Sequence, residues 1–250
     1  MKLARVVLEL SVPRQHWSRR RLRDHILERE AGTNSEAHFR RVSNAVRQAG
    51  AADASVILLP AYTLLFGVNG MSLRRWRGLP RRFGFDYLLG GGLTPERNAP
   101  KKADLWREES LFVASKGGML VPPHQYGPLP IMLGESPTIA AISSSVINVR
   151  RYPEVFRSLA RQAIYRSPLL ILDMGHNQYG SRYKRRLKNV AAAAQCLKAK
   201  KTLLLVSSWR WRGSSSGTWA LTDKGNLDFD ERIQIPVDNG RTDYVDLFNA

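Results

Sequence analysis

The chain has 250 residues, 43% of them hydrophobic and 24% charged, an ordinary balance for a globular protein large enough to bury a two-sheet core. Its 39 Lys and Arg against 21 Asp and Glu give a formal charge of +18, which points away from a cationic partner and towards a polyanionic one. Cys196 is the single cysteine, which excludes an internal disulfide, and no apolar run approaches the roughly 20 residues that span a bilayer. The opening MKLARVVLELSVPRQ holds only a short apolar run interrupted by Glu9, so no signal peptide is evident and a cytoplasmic, membrane-free location is expected.

Residues 3–10 (LARVVLEL) are aliphatic and β-rich and predict the first strand. A basic insertion follows, HWSRRRLRDHILERE, expected as a surface loop with a short helix. Residues 35–50 offer a capping Ser35 and apolar Phe39, Val42, Val46 and Ala49 at helical spacing, closing at Gly50. The wholly apolar ASVILLP, residues 54–60, predicts a strand buried on both faces. A second basic stretch, LRRWRGLPRRFG, precedes a strand expected at 85–90. That strand ends in Gly90, Gly91 and Gly92, which lack the Lys and Ser/Thr of a phosphate loop and read as a turn. Residues 109–114 and 118–121 predict a hairpin turning at Lys116 and Gly117.

The centre of the chain reads as a strand (138–148), a tight loop, a helix from Pro153, a second strand (169–173) and a polar loop. A helix from Ser181 carries Leu187, Val190, Ala191, Ala194 and Leu197 on one stripe. A strand at 202–207 and a hairpin over 218–229 follow, and beyond Ile235 the chain is polar without a clear period. Alternating strands and helices with interspersed hairpins predict mixed sheets covered by helices. The expected organisation is one domain over residues 1–250, with basic insertions near 14–30 and 72–83 and a polar tail from about 236.

In this order the segments resemble the nitrilase, or carbon–nitrogen hydrolase, superfamily. SVILLPAYTLLFG is similar to that family's strand ending in Pro-Glu, FDYLLGGGL and REESLFVASKGGML to its glycine-ended strand and following hairpin, and TIAAISSSVINVRRYPEVFRSLA to its strand and nucleophile elbow. RLKNVAAAAQ and SSGTWALTDKGNLD resemble its late helix and closing hairpin. The resemblance implies a four-layer α-β-β-α sandwich of the nitrilase type, often paired into a homodimer. It also implies a cysteine nucleophile, a glutamate base and a lysine that offsets the developing oxyanion.

Each matched position departs from that set. Ala61 follows Pro60 where the family has glutamate, and a methyl group accepts no proton. No lysine lies between Val121 and Lys184, and Tyr126 is the best-matched residue for the family lysine. Ser143, Ser144 or Ser145 stands where the cysteine should end its strand, Ser144 being the middle choice, and Glu135 matches a second family glutamate. A serine hydroxyl without a base or an oxyanion partner is a poor nucleophile at neutral pH, and small polar filler is the simpler reading of the run. Cys196 reads as packing. The histidines show no metal-ligand spacing, so neither metal nor cofactor is expected.

Two segments interleave cations with aromatics, a pattern that suits phosphate contact plus base stacking. The first holds Arg74, Arg75, Trp76, Arg77, Arg81, Arg82 and Phe83; the second holds Trp209, Arg210, Trp211 and Arg212. Lys184, Arg185 and Arg186 extend the basic set. The competing account puts the arginines on solvated faces and the aromatics in the core. The expectation is a catalytically degenerate nitrilase-fold scaffold whose basic surface engages nucleic acid or a nucleic-acid-associated protein. Its rivals are a carbon–nitrogen hydrolase with a rearranged, serine-based site and a subunit that binds only protein.

Overall fold

The computed structural model describes residues 2–13, 21, 24–31, 35–60, 62–65, 73–95, 106–121, 131–133, 139–143, 169–173, 202–206, 209–212, 218–221, 227–229 and 233–249. Within residues 119–208 and 211–232 only the backbone of the strands is described. The chain forms two units, interleaved in sequence: Met1–Tyr126, Ser207–Ser216 and Arg232–Ala250 make one, and Gly127–Val206 with Gly217–Glu231 the other.

The first unit is built on a mixed sheet of eight strands. β1 (Lys2–Val7), β3 (Val56–Leu58) and β5 (Tyr87–Pro95) run parallel at its centre, and β4 (Leu64–Leu65) pairs with β5. β6 (Trp106–Ser115) and β7 (Gly118–Val121) form the expected antiparallel hairpin beyond β5. Val56, Ile57 and Leu58 are all buried, as a both-faces strand requires.

One helix face covers this sheet. In α1 (Ser35–Ala51), Phe39, Val42, Val46 and Ala49 are buried as the 3.6-residue period predicts, and they join Ala4, Val6, Leu8, Ile57 and Leu88 in one apolar cluster. The basic stretch at 73–83 folds as two short helices, α2 (Leu73–Arg77) and α3 (Leu79–Phe83). Pro80 fits the first turn of α3, where a missing N–H costs nothing, and Gly84 closes the helix at φ +81°, its N–H bonding the Pro80 carbonyl. Gly50 lets α1 and α3 approach: a Cβ there would lie 2.7 Å from the Phe83 carbonyl oxygen. The first basic insertion contains a π-helical turn, Ile26–Ala31, with Ile26 in the core.

Two expectations are corrected. The glycines at 90–92 make no turn; β5 runs through them to Pro95, with a register shift against β6 between Gly90 and Gly92. The reason is close packing, since a Cβ on Gly90 would meet Leu59 Cβ at 3.0 Å and Leu64 Cδ1 at 3.2 Å. The polar tail is also structured. β15 (Ile233–Pro236) and β16 (Tyr244–Asn249) form an antiparallel pair, and β16 lies antiparallel to β1, with Tyr244 to Phe248 buried.

A small parallel pair completes the unit: β2 (Glu9–Pro13) and β12 (Arg210–Arg212). The second unit carries a six-stranded mixed sheet in the order β14-β13-β11-β10-β9-β8. Its centre is again three parallel strands, β9 (Ile139–Ser143), β10 (Leu169–Asp173) and β11 (Thr202–Val206). The antiparallel hairpin β13 (Thr218–Leu221) and β14 (Leu227–Phe229) lies beyond β11, and antiparallel β8 (Ile131–Leu133) lies beside β9. Both sheets therefore follow one plan: three parallel strands in chain order, a hairpin after the last, an antiparallel neighbour before the first. The mixed α/β expectation is met. The helices expected from Pro153 and from Ser181 lie outside the described residues.

Candidate functional site

The helical face of the first unit is assembled around an aromatic contact. Phe39 on α1 meets Trp76 on α2 edge to face, with ring centroids 4.8 Å apart, and both rings are buried. Arg75 lies on top of this contact, its guanidinium 4.3 Å from the Phe39 ring centroid. The same guanidinium reaches back to the start of α1, donating to Glu36 Oε2 from Nη1 at 2.7 Å and to Oε1 from Nη2 at 3.1 Å. This bidentate bond holds the Glu36 carboxyl below its usual range; the Arg75 and Arg40 charges act in the same direction, and partial desolvation opposes them. Glu36 raises the Arg75 value in turn.

Around that anchor the exposed side chains are cations. Arg40 and Arg47 stand exposed on α1, Arg74 and Arg77 on α2, Arg81 and Arg82 on α3. Glu36 is the single acid in these three helices. Among the described residues Arg74, Arg77 and Arg81 have no ion-pair partner, and Arg82 rests over the Phe83 ring at 5.2 Å. The interleaved aromatics do not share this exposure. Trp76 has no accessible surface, so its expected role as a stacking platform for a base is corrected: the ring fills the core between α1 and α2.

In the second interleaved segment Trp209 and Arg210 are corrected on the same ground, and the side chain of Trp211 lies outside the described residues. Trp209 is buried and stacks on the His38 ring, centroids 6.1 Å apart. Arg210 is engaged within the protein: its Nη2 donates to Thr242 Oγ1 at 2.6 Å and to the Thr242 carbonyl at 3.1 Å, and it sits 3.3 Å from Glu9 Oε1 and over the Tyr244 ring. A guanidinium so committed is a clamp between β2 and the loop before β16. Arg212 contributes its backbone to β12, and its side chain lies outside the description, as do Lys184, Arg185 and Arg186.

Two further arginines, which the sequence reading did not single out, are interior. Arg5 on β1 and Asp246 on β16 face each other directly in register and neither is exposed to solvent. Arg5 donates to Asp246 Oδ2 from Nη2 at 2.6 Å and from Nε at 2.8 Å, and Gln234 Nε2 donates to the other carboxylate oxygen at 3.4 Å. Asp243 is still more fully bonded. It accepts from Arg41 Nε at 2.6 Å and Nη2 at 2.5 Å, from the Glu9 N–H at 2.7 Å and from Asn239 Nδ2 at 2.7 Å. All its acceptor sites are used, which leaves no place for a substrate. The signal was available: Arg5 and Asp246 each interrupt an otherwise apolar run, and two opposite charges in buried strands need one another.

The end of β3 is the position where a catalytic base would follow Pro60. Ala61 itself lies outside the described residues, but its successors are fixed firmly. Tyr62 is buried at φ +60°, an uncommon conformation for a bulky residue, and the buried Thr63 accepts a bond from His38 Nε2 through its carbonyl at 2.7 Å. Ser143 ends β9 opposite Leu172, at the carboxyl end of three parallel strands. Tyr126, Glu135 and Ser144 lie outside the described residues. Among the described residues no three His, Cys, Asp or Glu converge to hold a metal ion. No described helix is long and apolar enough to cross a membrane.

No family model matches the chain, and no curated protein matches it. Solved structures do. A mutant of the Nesterenkonia AN1 amidase from the nitrilase superfamily matches with a TM-score of 0.52 at 13% identity, over 100% of this chain and 90% of that one. The glutamine-dependent NAD+ synthetase of Acinetobacter baumannii matches with a TM-score of 0.52 at 11% identity, over 99% of this chain and 45% of that one. The C. elegans NitFhit protein matches with a TM-score of 0.50 at 11% identity, over 99% of this chain and 60% of that one. The chain therefore has the fold shared by nitrilase-superfamily amidases, and at these identities the likeness is one of fold.

Proposed function

We propose that this is a nitrilase-fold protein that binds instead of hydrolysing: a scaffold or binding subunit whose basic helical surface engages nucleic acid or a nucleoprotein assembly. The reading carries with it the four-layer sandwich and the pairing into a dimer that the resemblance implies. The observation that supports it most is the exposed guanidinium set on α1, α2 and α3, which retains a single acid, Glu36. The sequence supports the loss of chemistry, because Ala61 offers no base and Tyr126 no ammonium at the matched positions. The Nesterenkonia amidase, by contrast, has an active-site cysteine.

The test is a salt titration of binding to DNA and RNA. Each neutralised phosphate releases counterions, so log affinity should fall by about 0.9 per contact per log unit of salt on duplex DNA, or about 0.7 on single strands. Absence of binding at low salt removes the nucleic-acid reading. A co-purifying partner that survives nuclease treatment then points to an acidic protein.

One observation favours a second reading. Ser143 closes β9 at the carboxyl end of the parallel strands, the edge where open α/β sheets place their ligands. That edge supports, as the alternative, a carbon–nitrogen hydrolase using the next residue, Ser144, with Glu135 or Tyr126. Turnover on a panel of amides and nitriles that is abolished by Ser144→Ala selects it; no turnover on any member rejects it.

A further inference from the structure

We infer that the α1–α3 surface takes double-stranded nucleic acid through its phosphates alone, without stacking on bases or reading them. The inference rests on the binding function just proposed and narrows it to one ligand form and one surface.

Binding of a single strand without sequence preference draws on two sources, charge and base–aromatic stacking, and stacking supplies about 1–3 kcal/mol per base. Among the described residues this surface offers chiefly the first. Trp76 has no accessible surface, Phe39 and Trp209 are buried, and half-buried Phe83 has Arg82 over its ring at 5.2 Å. Phe83 is also packed on α1, its Cβ 3.5 Å from where a Cβ of Gly50 would stand. A base could reach Trp76, Phe39 or Trp209 only by opening the core, and at Phe83 it would have to displace Arg82 from the ring. With stacking unavailable, affinity follows the charge density of the ligand, and a duplex, with one charge per about 1.7 Å, exceeds a single strand.

Base reading from the major groove is disfavoured by the same architecture. α2 and α3 have five residues each, about 7.5 Å of helix apiece, too short to lie along a groove and present several side chains to base edges. α1 is long enough, but its apolar face is fixed on the sheet and its exposed arginines, Arg40 and Arg47, stand seven residues and about 10 Å apart along the axis, too sparse to read adjacent bases. Guanidiniums without a base-reading element bind phosphates and are indifferent to sequence.

The surface also contains its own brake. Glu36 takes both prongs of the Arg75 fork and lies 3.8 Å from Arg40, so one carboxylate is shared by two of the cations and offsets one of their charges. Removing its charge strengthens binding.

Fluorescence anisotropy on the full chain tests this, with a duplex of about 20 bp in two unrelated sequences and each component strand alone, across about 50–300 mM salt. The expected result is duplex binding about tenfold tighter than single-strand binding, equal for the two sequences, with a log–log slope of about −4 to −5. The combined variant Arg74→Gln, Arg77→Gln, Arg81→Gln and Arg82→Gln makes the slope shallower by about 3 to 4 and weakens duplex binding about a hundredfold at the lowest salt. Glu36→Gln tightens it about twofold to fivefold, which keeps the surface testable should the combined variant fold poorly. Single strands bound as tightly as duplex, or two duplexes bound unequally, overturn the phosphate-only inference and leave nucleic-acid binding standing. Duplex binding unchanged in both variants overturns the surface. Binding to neither form sinks the broader function as well.

Discussion

Arg5 and Arg74 are the same side chain in the same unit, yet solvent reaches only one of them. Along the seam of β1, β16 and the loop before it, Arg5 and Arg41 are interior and each is held by a dedicated carboxylate, Asp246 and Asp243. On the α1–α3 face, Arg74, Arg77 and Arg81 are exposed and have no acid assigned to them among the described residues. The difference shows that a charge of +18 is not one property. Some of the cations are part of the fold's interior wiring, where a partner is obligatory because an unpaired buried charge is costly. The others can be given to a ligand because the fold makes no use of them. Arg210 belongs with the first group although its sequence neighbourhood placed it in the second.

The largest effect expected from breaking this division is at the seam. Asp246→Leu should lower unfolding free energy by about 3–5 kcal/mol, since it removes the in-register carboxylate from a buried guanidinium. The paired change Arg5→Leu with Asp246→Leu should restore most of that loss, because two well-packed aliphatic side chains need no solvation. Urea unfolding of the two variants decides it, and a double variant no better than the single removes the ion-pair explanation.

Next in size is the junction that positions the exposed arginines. Alanine ordinarily improves a helix over glycine by about 1 kcal/mol. Gly50→Ala should instead destabilise by about 1–3 kcal/mol, because its methyl meets the Phe83 carbonyl at 2.7 Å and forces α3 away from α1. A raised melting temperature in that variant contradicts the close approach. Smaller still is the stability cost of replacing the exposed arginines, expected within about 0.5 kcal/mol for each by the same urea measurement.

The smallest expected effect is that of Glu36, and its sign follows from its lowered folded-state value. Its contribution is present above the usual glutamate range near 4.5 and is lost as pH falls through the lowered value. Urea midpoints of the native protein and Glu36→Gln should differ slightly at pH 7 and converge as the pH falls below the usual glutamate range. A gap that widens on acidification contradicts the Arg75–Glu36 bond as its source.

Local pattern was legible in the sequence wherever one period ran uninterrupted. The α1 stripe, the apolar β3 run and the two hairpins were readable because neighbouring residues carry their own explanation. β16 was not: YVDLFN is six residues, and Asp246 breaks its apolar run for the sake of Arg5, 241 positions away. Gly90, Gly91 and Gly92 read as a turn because glycine punctuates chains; only Leu59 and Leu64 behind the strand reveal why glycine stands at 90. At the proposed binding surface the basic residues were readable and the aromatics misleading. Trp76 and the arginines beside it alternate in sequence, and helix geometry sends the one inward and the others out.

The most direct test of this division is one protein measured two ways: the variant with Arg74, Arg77, Arg81 and Arg82 all changed to Gln, followed by urea unfolding and by duplex binding at low salt. The division predicts an unfolding midpoint close to that of the native protein with duplex binding largely lost. Duplex binding retained at native strength in that folded variant would contradict it.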